Sequence, residues 1–287
     1  MTRNCRHSLT VAVILSLGLL SGCAGLDASR DMISGLSDYI FGEDDTSDPP
    51  AVLDEKFVAE LQAESIWHQS IGDGASGQFM KLVPATAAGT SYVADHAGLI
   101  QARNSASGDL LWEVKSGFPF SAGPGLGVHT VVLGTSHAEV VAFDKVSGEQ
   151  KWSTEVSSEV LAVPVIAHGM VFIRTTDGKI KALNETTGAS VWSVEQSVPA
   201  LSIRGTGNPL ALDDMLVAGN ANGKLTALQL HDGKTLWEST IVMPAGRSEI
   251  ERLVDLDADP VERRGAIYIA SYQGGTASVA ETDGDVI

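Results

Sequence analysis

The sequence predicts an all-β fold, a β-propeller of four-stranded blades, and three observations lead to this prediction. Five tryptophans, Trp67, Trp112, Trp152, Trp192 and Trp237, are separated by 45, 40, 40 and 45 residues. Four of them are preceded by glycine and alanine at fixed distances. Short apolar segments between these positions are joined by Asp-Gly or Ser/Thr-Gly turns, which are typical of β-hairpins. Four strands in a period of about 40 residues match the size of one propeller blade.

The repeat is defined by three columns upstream of the last four tryptophans. Glycine stands four residues before the tryptophan, alanine stands ten before, and a small residue stands fourteen before. The columns are Gly108, Gly148, Gly188 and Gly233; Ala102, Ala142, Ala182 and Ala227; and Gly98, Ala138, Gly178 and Gly223. Glycine supplies positive φ at turns, and the alanines are predicted to let backbones approach near the narrow centre. Each tryptophan is predicted to fill the gap between adjacent blades, burying on the order of 200 Å².

The repeat that ends with Trp192, the third that contains all three columns, shows the four predicted strands. They cover residues 163–166, 170–174, 179–183 and 190–194, and glycine-containing turns precede the last two. One such sheet cannot bury both of its faces, so blades are expected to stack around an axis. An open solenoid is the less favoured alternative, because four strands per period twist strongly.

The same frame continues to the end of the chain. Gly274 and Gly284 stand in their columns, and the corresponding tryptophan would be residue 288, one past Ile287. We therefore expect a C-terminally truncated propeller with six repeat motifs, the sixth incomplete.

The first 22 residues are predicted to be a lipoprotein signal peptide. Arg3 and Arg6 precede an apolar run over residues 9–20, which is shorter than the roughly 20 residues that a spanning helix needs. The run leads into Leu-Ser-Gly-Cys, which resembles the bacterial lipoprotein cleavage motif and makes Cys23 the expected lipidation site. The alternative is an ordinary signal peptide with an accidental cysteine. Ala24 after the cysteine implies, by resemblance to lipoprotein sorting, the outer membrane with the protein body in the periplasm.

Composition changes after the cysteine. Residues 42–50 are acidic and rich in turn formers, so residues 23–52 are predicted to be a flexible, lipid-anchored linker. Residues 53–287 form the predicted partial propeller domain.

Charge and cysteine content exclude several classes of function. The chain has 19 Lys and Arg against 36 Asp and Glu, for a net charge of −17. This balance argues against a nucleic-acid partner, because phosphate binding needs a basic face. The two cysteines, Cys5 and Cys23, both lie near the N-terminus. A disulfide scaffold and a cysteine zinc site are therefore excluded.

We find no pattern that predicts a catalytic, cofactor or metal site. Residues 72–77 match Gly-x-Gly-x-x-Gly, but no helical pattern follows, as a dinucleotide site requires. Residues 255–259 begin like a calcium loop, but Pro260 and Ala266 occupy the positions that require Gly and Glu. The histidines lack paired metal-ligand spacing, and no nucleophile elbow is present.

The repeat frame Ala-x-Asp/Asn-x-x-Ser/Thr-Gly-x-x-x-Trp, as in residues 142–152 and 182–192, resembles the PQQ-type (quinoprotein-like) propeller repeat. Quinone enzymes and non-enzymatic propellers share this frame, so the fold alone does not decide the function. Quinone enzymes of this class commonly have adjacent cysteines beside the cofactor, and this sequence has no such pair. Residues 92–98, 201–205 and 248–257 resemble the BamB family, lipoproteins of the outer-membrane β-barrel assembly machinery.

The resemblance implies a non-enzymatic scaffold without a cofactor, anchored on the periplasmic face of the outer membrane, that assists the assembly and insertion of outer-membrane proteins. It also implies an eight-bladed ring, of which about six blades are represented here. The implied partners are the POTRA domains of the central barrel subunit BamA, other subunits of the complex and unfolded outer-membrane proteins. Two alternatives remain open: a quinone (PQQ)-dependent periplasmic oxidoreductase, and a propeller lipoprotein with an unrelated periplasmic partner.

Two segments are candidates for the partner-binding surface. Leu201, Ile203 and Arg204 follow one tryptophan strand, and Asp255 and Asp257 follow the next. Connections of this kind emerge on the same rim in successive blades, so the two segments are predicted to be neighbours.

Their composition suits a small binding hot spot. If the first segment is extended, Leu201 and Ile203 project to one side, flanked by one cation and two carboxylates. The family resemblance points to these same positions as the contact with the barrel subunit. The alternative is that Leu201 and Ile203 belong to the blade core while Arg204 pairs with Asp255 inside the protein.

Overall fold

The computed structural model of the protein describes residues 63–204 and 207–287. These residues form strands and turns without a helix, which confirms the predicted all-β class. Accordingly, the described ranges contain no helix that is long and apolar enough to cross a membrane. The predicted signal peptide (1–22), Cys23, the linker over 23–52 and residues 53–62 of the predicted propeller domain lie outside the described residues.

The strands form five successive sheets, which we call blades 1–5. Blade 1 contains β2 (Ala85–Ala87), β3 (Thr90–Ala94), β4 (Leu99–Asn104) and β5 (Leu110–Lys115). Blade 2 contains β6 (Phe120–Leu126), β7 (Thr130–Thr135), β8 (Glu139–Asp144) and β9 (Gln150–Glu155), with β1 (Lys81–Leu82) parallel to β6. Blade 3 contains β10 (Val165–Ala167), β11 (Met170–Arg174), β12 (Lys179–Asn184) and β13 (Ser190–Glu195). Blade 4 contains β14 (Leu210–Ala211), β15 (Met215–Gly219), β16 (Lys224–Gln229) and β17 (Thr235–Thr240). Blade 5 contains β18 (Val261–Arg263), β19 (Ala266–Ser271) and β20 (Gly275–Ala280).

Within each blade, consecutive strands pair antiparallel. The first strands of blades 1–4 contact one another in sequence, so they lie at the centre and the fourth strands lie at the outer edge. Blade faces pack on blade faces, and side chains alternate along each strand. In β11, Val171 and Ile173 join a cluster with blade 2, whereas Phe172 joins a cluster with blade 4. Because both faces of the sheet are buried at β11, its sequence is apolar at four consecutive positions, residues 170–173.

Each tryptophan docks on the turn of the following repeat. The indole Nε1 atoms donate hydrogen bonds to backbone carbonyls at 2.8–3.2 Å, in the pairs Trp67–Ser105, Trp112–Lys145, Trp152–Glu185, Trp192–Leu230 and Trp237–Glu281. The ring also covers the glycine of that turn: a Cβ at Gly188 would lie 2.6 Å from Cε3 of Trp152. The glycine column is therefore needed both for its positive φ (71° at Gly188) and for space. The predicted filling of the gap between blades by tryptophan is confirmed.

Alanine recurs in its column for a different reason from the predicted one. The alanines lie on the third strand of each blade, two strands away from the centre, and each pairs with the tryptophan of the fourth strand, as Ala182 does with Trp192. They are fully buried, and the strand register shifts beside them. A small side chain is needed because the neighbouring indole occupies the space. The prediction that this column lies near the narrow centre was wrong.

In the part of the first repeat motif that the structure describes, from residue 63 onward, Trp67 is present but no strand precedes Lys81. Residues 63–80 form turns and irregular structure, and Trp67 docks on blade 1 from outside the sheets. The six predicted repeat motifs therefore correspond to five blades in the described part of the chain, together with this isolated docking residue.

Candidate partner-binding site

The candidate site is formed by two connections, each leading from an outer tryptophan strand to the central strand of the next blade. Connection A covers residues 196–209, between β13 and β14, and connection B covers residues 241–260, between β17 and β18. The backbone N–H of Ile203 donates to Oδ1 of Asp255 at 3.2 Å. The N–H and the Nδ2 group of Asn208 donate to the two carboxylate oxygens of Asp259 at 2.7 and 2.9 Å. The structure thus brings the two predicted segments together.

The apolar pair of connection A is arranged differently from a strand. Residues 196–204 are irregular, with bends at Leu201 and Arg204, so the alternation of side chains along an extended strand does not apply. The condition of an extended segment is not met, because residues 196–204 cross between blades without a strand to pair with. Leu201 is 41% exposed, and Ile203 is partly buried. Neither residue belongs to the apolar clusters between the described blades, in contrast to the blade-core alternative.

Arg204 makes its ion pair with a different carboxylate from the one considered in the sequence. Its Nη2 lies 2.7 Å from Oε1 of Glu159, and its Nη1 donates to the carbonyl oxygen of Phe79 at 3.3 Å. An internal pair with Asp255 is therefore not formed. Exposed ion pairs contribute only about 0–1 kcal/mol, so Arg204 can exchange Glu159 for a carboxylate on another molecule at little cost.

The two candidate aspartates of connection B, Asp255 and Asp257, are less exposed than Arg204. Asp255 is 1% exposed, and Asp257 is partly buried. Burial raises the pKa of Asp257 to about 6; the nearby Asp255 charge adds to this rise, while Arg174 and Lys81 oppose it. Burial also raises the pKa of Asp255, whereas the hydrogen bond from the Ile203 N–H lowers it. A cation or hydrogen-bond donor from another molecule would stabilise both carboxylates in their charged form.

Arg174 is the main site residue that sequence reasoning missed. It is the last residue of β11 and is 5% exposed. Burial lowers the pKa of its guanidinium, and the charges of Asp257 and Asp255 oppose this shift. Together with Ile203, Arg204 and both aspartates, it lines a cavity of about 270 Å³. The available signal was an arginine that ends the otherwise apolar strand β11.

Phe79 is a second missed residue. Its carbonyl oxygen accepts the hydrogen bond from Arg204, and its side chain is 90% exposed. Phenylalanine is among the aromatic residues that are enriched at protein–protein interfaces. The sequence alone does not reveal the contact between Phe79 and Arg204, because the two residues are 125 positions apart in the chain.

The other sequence motifs have no visible ligand geometry. The Gly-x-Gly-x-x-Gly stretch at residues 72–77 forms consecutive turns. Of the acidic run after Arg252, Asp255 contacts connection A and Asp259 binds Asn208 and Lys81. Within residues 63–204 and 207–287, no group of three or more His, Cys, Asp or Glu side chains is placed to hold a metal ion.

Comparison with known proteins identifies the family. The model of the family described as "Outer membrane protein assembly factor BamB" matches residues 96–286, more than half of the chain. The chain belongs to the BamB family. This confirms the resemblance drawn from residues 92–98, 201–205 and 248–257, and the curated relatives carry the name of an assembly factor rather than of an enzyme.

BamB of Alkalilimnicola ehrlichii is 52% identical over 224 residues, which cover 78% of this chain and 58% of the relative. BamB of Pseudomonas aeruginosa is 48% identical over 239 residues, which cover 83% and 63%. The chain therefore spans about three fifths of the length of these relatives. The crystal structure of BamB from Moraxella catarrhalis superposes with a TM-score of 0.68 at 29% identity, covering 73% of this chain and 63% of that one. The propeller fold is thus confirmed.

Proposed function

We propose that this chain is a non-enzymatic scaffold of the outer-membrane β-barrel assembly machinery, which assists the assembly and insertion of outer-membrane proteins. Membership of the BamB family supports the general role. The observation that carries the finer proposal is the junction of connections A and B, where the Ile203 N–H binds Asp255. This junction combines two apolar residues, a cation and the partly buried carboxylate of Asp257 with the buried carboxylate of Asp255, outside the apolar clusters between the described blades.

The proposed partner at this junction is the periplasmic POTRA region of BamA. Leu201 and Ile203 supply the apolar contact, and Arg204 and the two aspartates supply charges of both signs that fix the orientation of the partner. A matching surface would offer an apolar groove, an acidic group facing Arg204 and a donor group facing Asp257. The affinity of the complex would depend more on the apolar contact of Leu201 and Ile203 than on the charged residues around it.

The chain is further proposed to reside at the outer membrane, on its periplasmic face, through lipid on Cys23. A lipidated cysteine holds a protein firmly only when several acyl chains act together. The predicted acidic linker over 23–52 would separate the propeller from the lipid surface, which leaves the two connections free for a periplasmic partner.

Contact with unfolded outer-membrane proteins is a second proposed role. The fourth strands of blades 1–4, β5, β9, β13 and β17, each pair with another strand on one side only in the described sheets. Such an edge can accept an additional extended strand through its free backbone groups.

A photo-crosslinking experiment tests the proposed partner. A photoreactive residue replaces Leu201 in the full chain, and the matched control carries it at Val146, an 87% exposed aliphatic position in blade 2 outside both connections. After irradiation of cell envelopes, position 201 should yield an adduct with BamA, and position 146 should not. Adducts of equal yield, or an adduct at position 201 with a different protein, would contradict the proposal.

A further inference from the structure

Arg174 has an unused hydrogen-bond donor inside the protein. Side-chain alternation along β11 places Arg174 on the same face as Phe172, which packs toward blade 4. Its Nη1 atom is buried and finds no hydrogen-bond partner among the described residues. A buried polar group without a partner is costly, and an arginine carries five donors and keeps its charge at neutral pH. This donor is therefore buried without a partner among the described residues.

Asp255 has an unused acceptor in the same place. Its Oδ1 atom accepts from the Ile203 N–H, whereas Oδ2 is buried and has no partner within the described part of the chain. The residues that the structure describes also include no ion pair between Arg174 and either Asp255 or Asp257. The cation and the carboxylate thus leave one donor and one acceptor free, instead of satisfying each other.

Arg174 and Asp255 both line the same cavity. Its volume of about 270 Å³ is several times the roughly 30 Å³ that a water molecule occupies in the liquid, so an entering side chain fits. Ile203 and Arg204, from the proposed binding surface, form part of the same wall. A partner bound at the junction of connections A and B would therefore cover this cavity.

We propose that the cavity receives an asparagine or glutamine side chain of the protein partner. The carbonyl oxygen of its carboxamide accepts from Arg174 Nη1, and its amide N–H donates to Asp255 Oδ2. This inference rests on the proposed binding of the POTRA region at the junction, and it names the chemistry of the central contact.

The charges of the cavity favour a neutral group with both a donor and an acceptor. A carboxylate would bind Arg174 but would face the like charges of Asp255 and Asp257. An ammonium or guanidinium group would bind the aspartates but would face Arg174. A carboxamide satisfies both unpaired atoms without introducing a charge, and neither of its groups is then left unpaired on binding.

The test measures the binding of the purified full chain to the purified POTRA region of BamA by calorimetry. Asp255→Asn removes the acceptor while keeping the shape of the side chain, and it also removes a buried charge, so its fold should be retained. Arg174→Met removes the donor. Each variant should bind at least tenfold more weakly than the wild type. Lys179→Met is the matched control, because it removes an exposed cation of blade 3 that pairs with Asp177; its binding should be unchanged.

A double-mutant cycle identifies the entering group and separates binding from folding. Alanine replacements of the POTRA asparagines and glutamines are combined with Asp255→Asn. One of them should weaken wild-type binding about tenfold and have little further effect on the Asp255→Asn chain. If no such coupling is found, or if an acidic or basic residue couples instead, the carboxamide inference is wrong. Failure of the wild-type chain to bind would refute the proposed function. Wild-type-like binding by both cavity variants would refute this inference and the contact assigned to Asp255, and it would leave the apolar contact of Leu201 and Ile203 in place.

Discussion

Replacement of Gly188 by alanine should reveal how strongly the tryptophan docking stabilises the propeller. Gly188 has φ of 71°, and a Cβ there would lie 2.6 Å from the Trp152 ring. Gly169 offers a matched control in the same blade, because its φ is 73° but its Cβ would meet nothing within 4 Å. Alanine in the left-handed region costs about 1–2 kcal/mol at either position. The difference between the two variants therefore isolates the contact with the indole.

At Gly188 the added methyl group must displace the buried indole. Overpacking of this kind costs about 1–3 kcal/mol, and it strains the 2.8 Å hydrogen bond from Trp152 to the Glu185 carbonyl. We expect Gly188→Ala to be less stable than Gly169→Ala by about 2 kcal/mol, which corresponds to a melting temperature roughly 4–8 °C lower. Thermal unfolding followed by circular dichroism measures both. Equal melting temperatures would show that the indole does not constrain the turn, and the docking explanation of the glycine column would be refuted.

Three further predictions concern the site and the anchor. The native pKa of Asp257, about 6, exceeds its ordinary value near 3.9, so the native state binds a proton between pH 6 and 4 that the unfolded state does not. Asp257→Asn should therefore stabilise the protein by about 1 kcal/mol at pH 7.5, with allowance for partial exposure, and this gain should disappear in melts near pH 4; a gain independent of pH would contradict it. Phe79→Ala should leave the melting temperature unchanged, because its ring is exposed, and should weaken POTRA binding several-fold in calorimetry; unchanged affinity would place Phe79 outside the interface. Cys23→Ala should abolish incorporation of labelled acyl chains and release the protein from the outer-membrane fraction, and retention with label would refute the proposed lipid site.

The repeated local features were predictable from the sequence. Gly188 and Trp192 recur at a fixed spacing in every complete repeat, because each turn needs positive φ and each indole covers the turn of the next blade. The role of Ala182 was not predictable, since spacing does not reveal which of the four strands faces the axis. Only the strand order shows that Ala182 lies opposite Trp192 and away from the centre.

In the site, too, the features that follow from the repeat were predictable, whereas those that depend on contacts between distant residues were not. The position of Ile203 and Asp255 after successive tryptophan strands was enough to make them neighbours. Arg204, in contrast, pairs with Glu159, 45 residues away, and this contact depends on how connection A crosses the blade. Arg174 was missed because its chemical interest comes from burial beside Asp255, which the isolated sequence of β11 does not encode.

The dissociation constant of the Leu201→Ala, Ile203→Ala double variant with the POTRA region of BamA tests the proposed function most directly. Burial of one aliphatic side chain contributes roughly 1.5–3 kcal/mol, and 1.4 kcal/mol corresponds to tenfold in affinity. The double variant should therefore bind at least tenfold more weakly than the wild-type chain, with an unchanged melting temperature because neither residue belongs to the clusters between described blades. Wild-type affinity combined with a lowered melting temperature would contradict the proposal, since it would make these residues part of the core rather than of the interface.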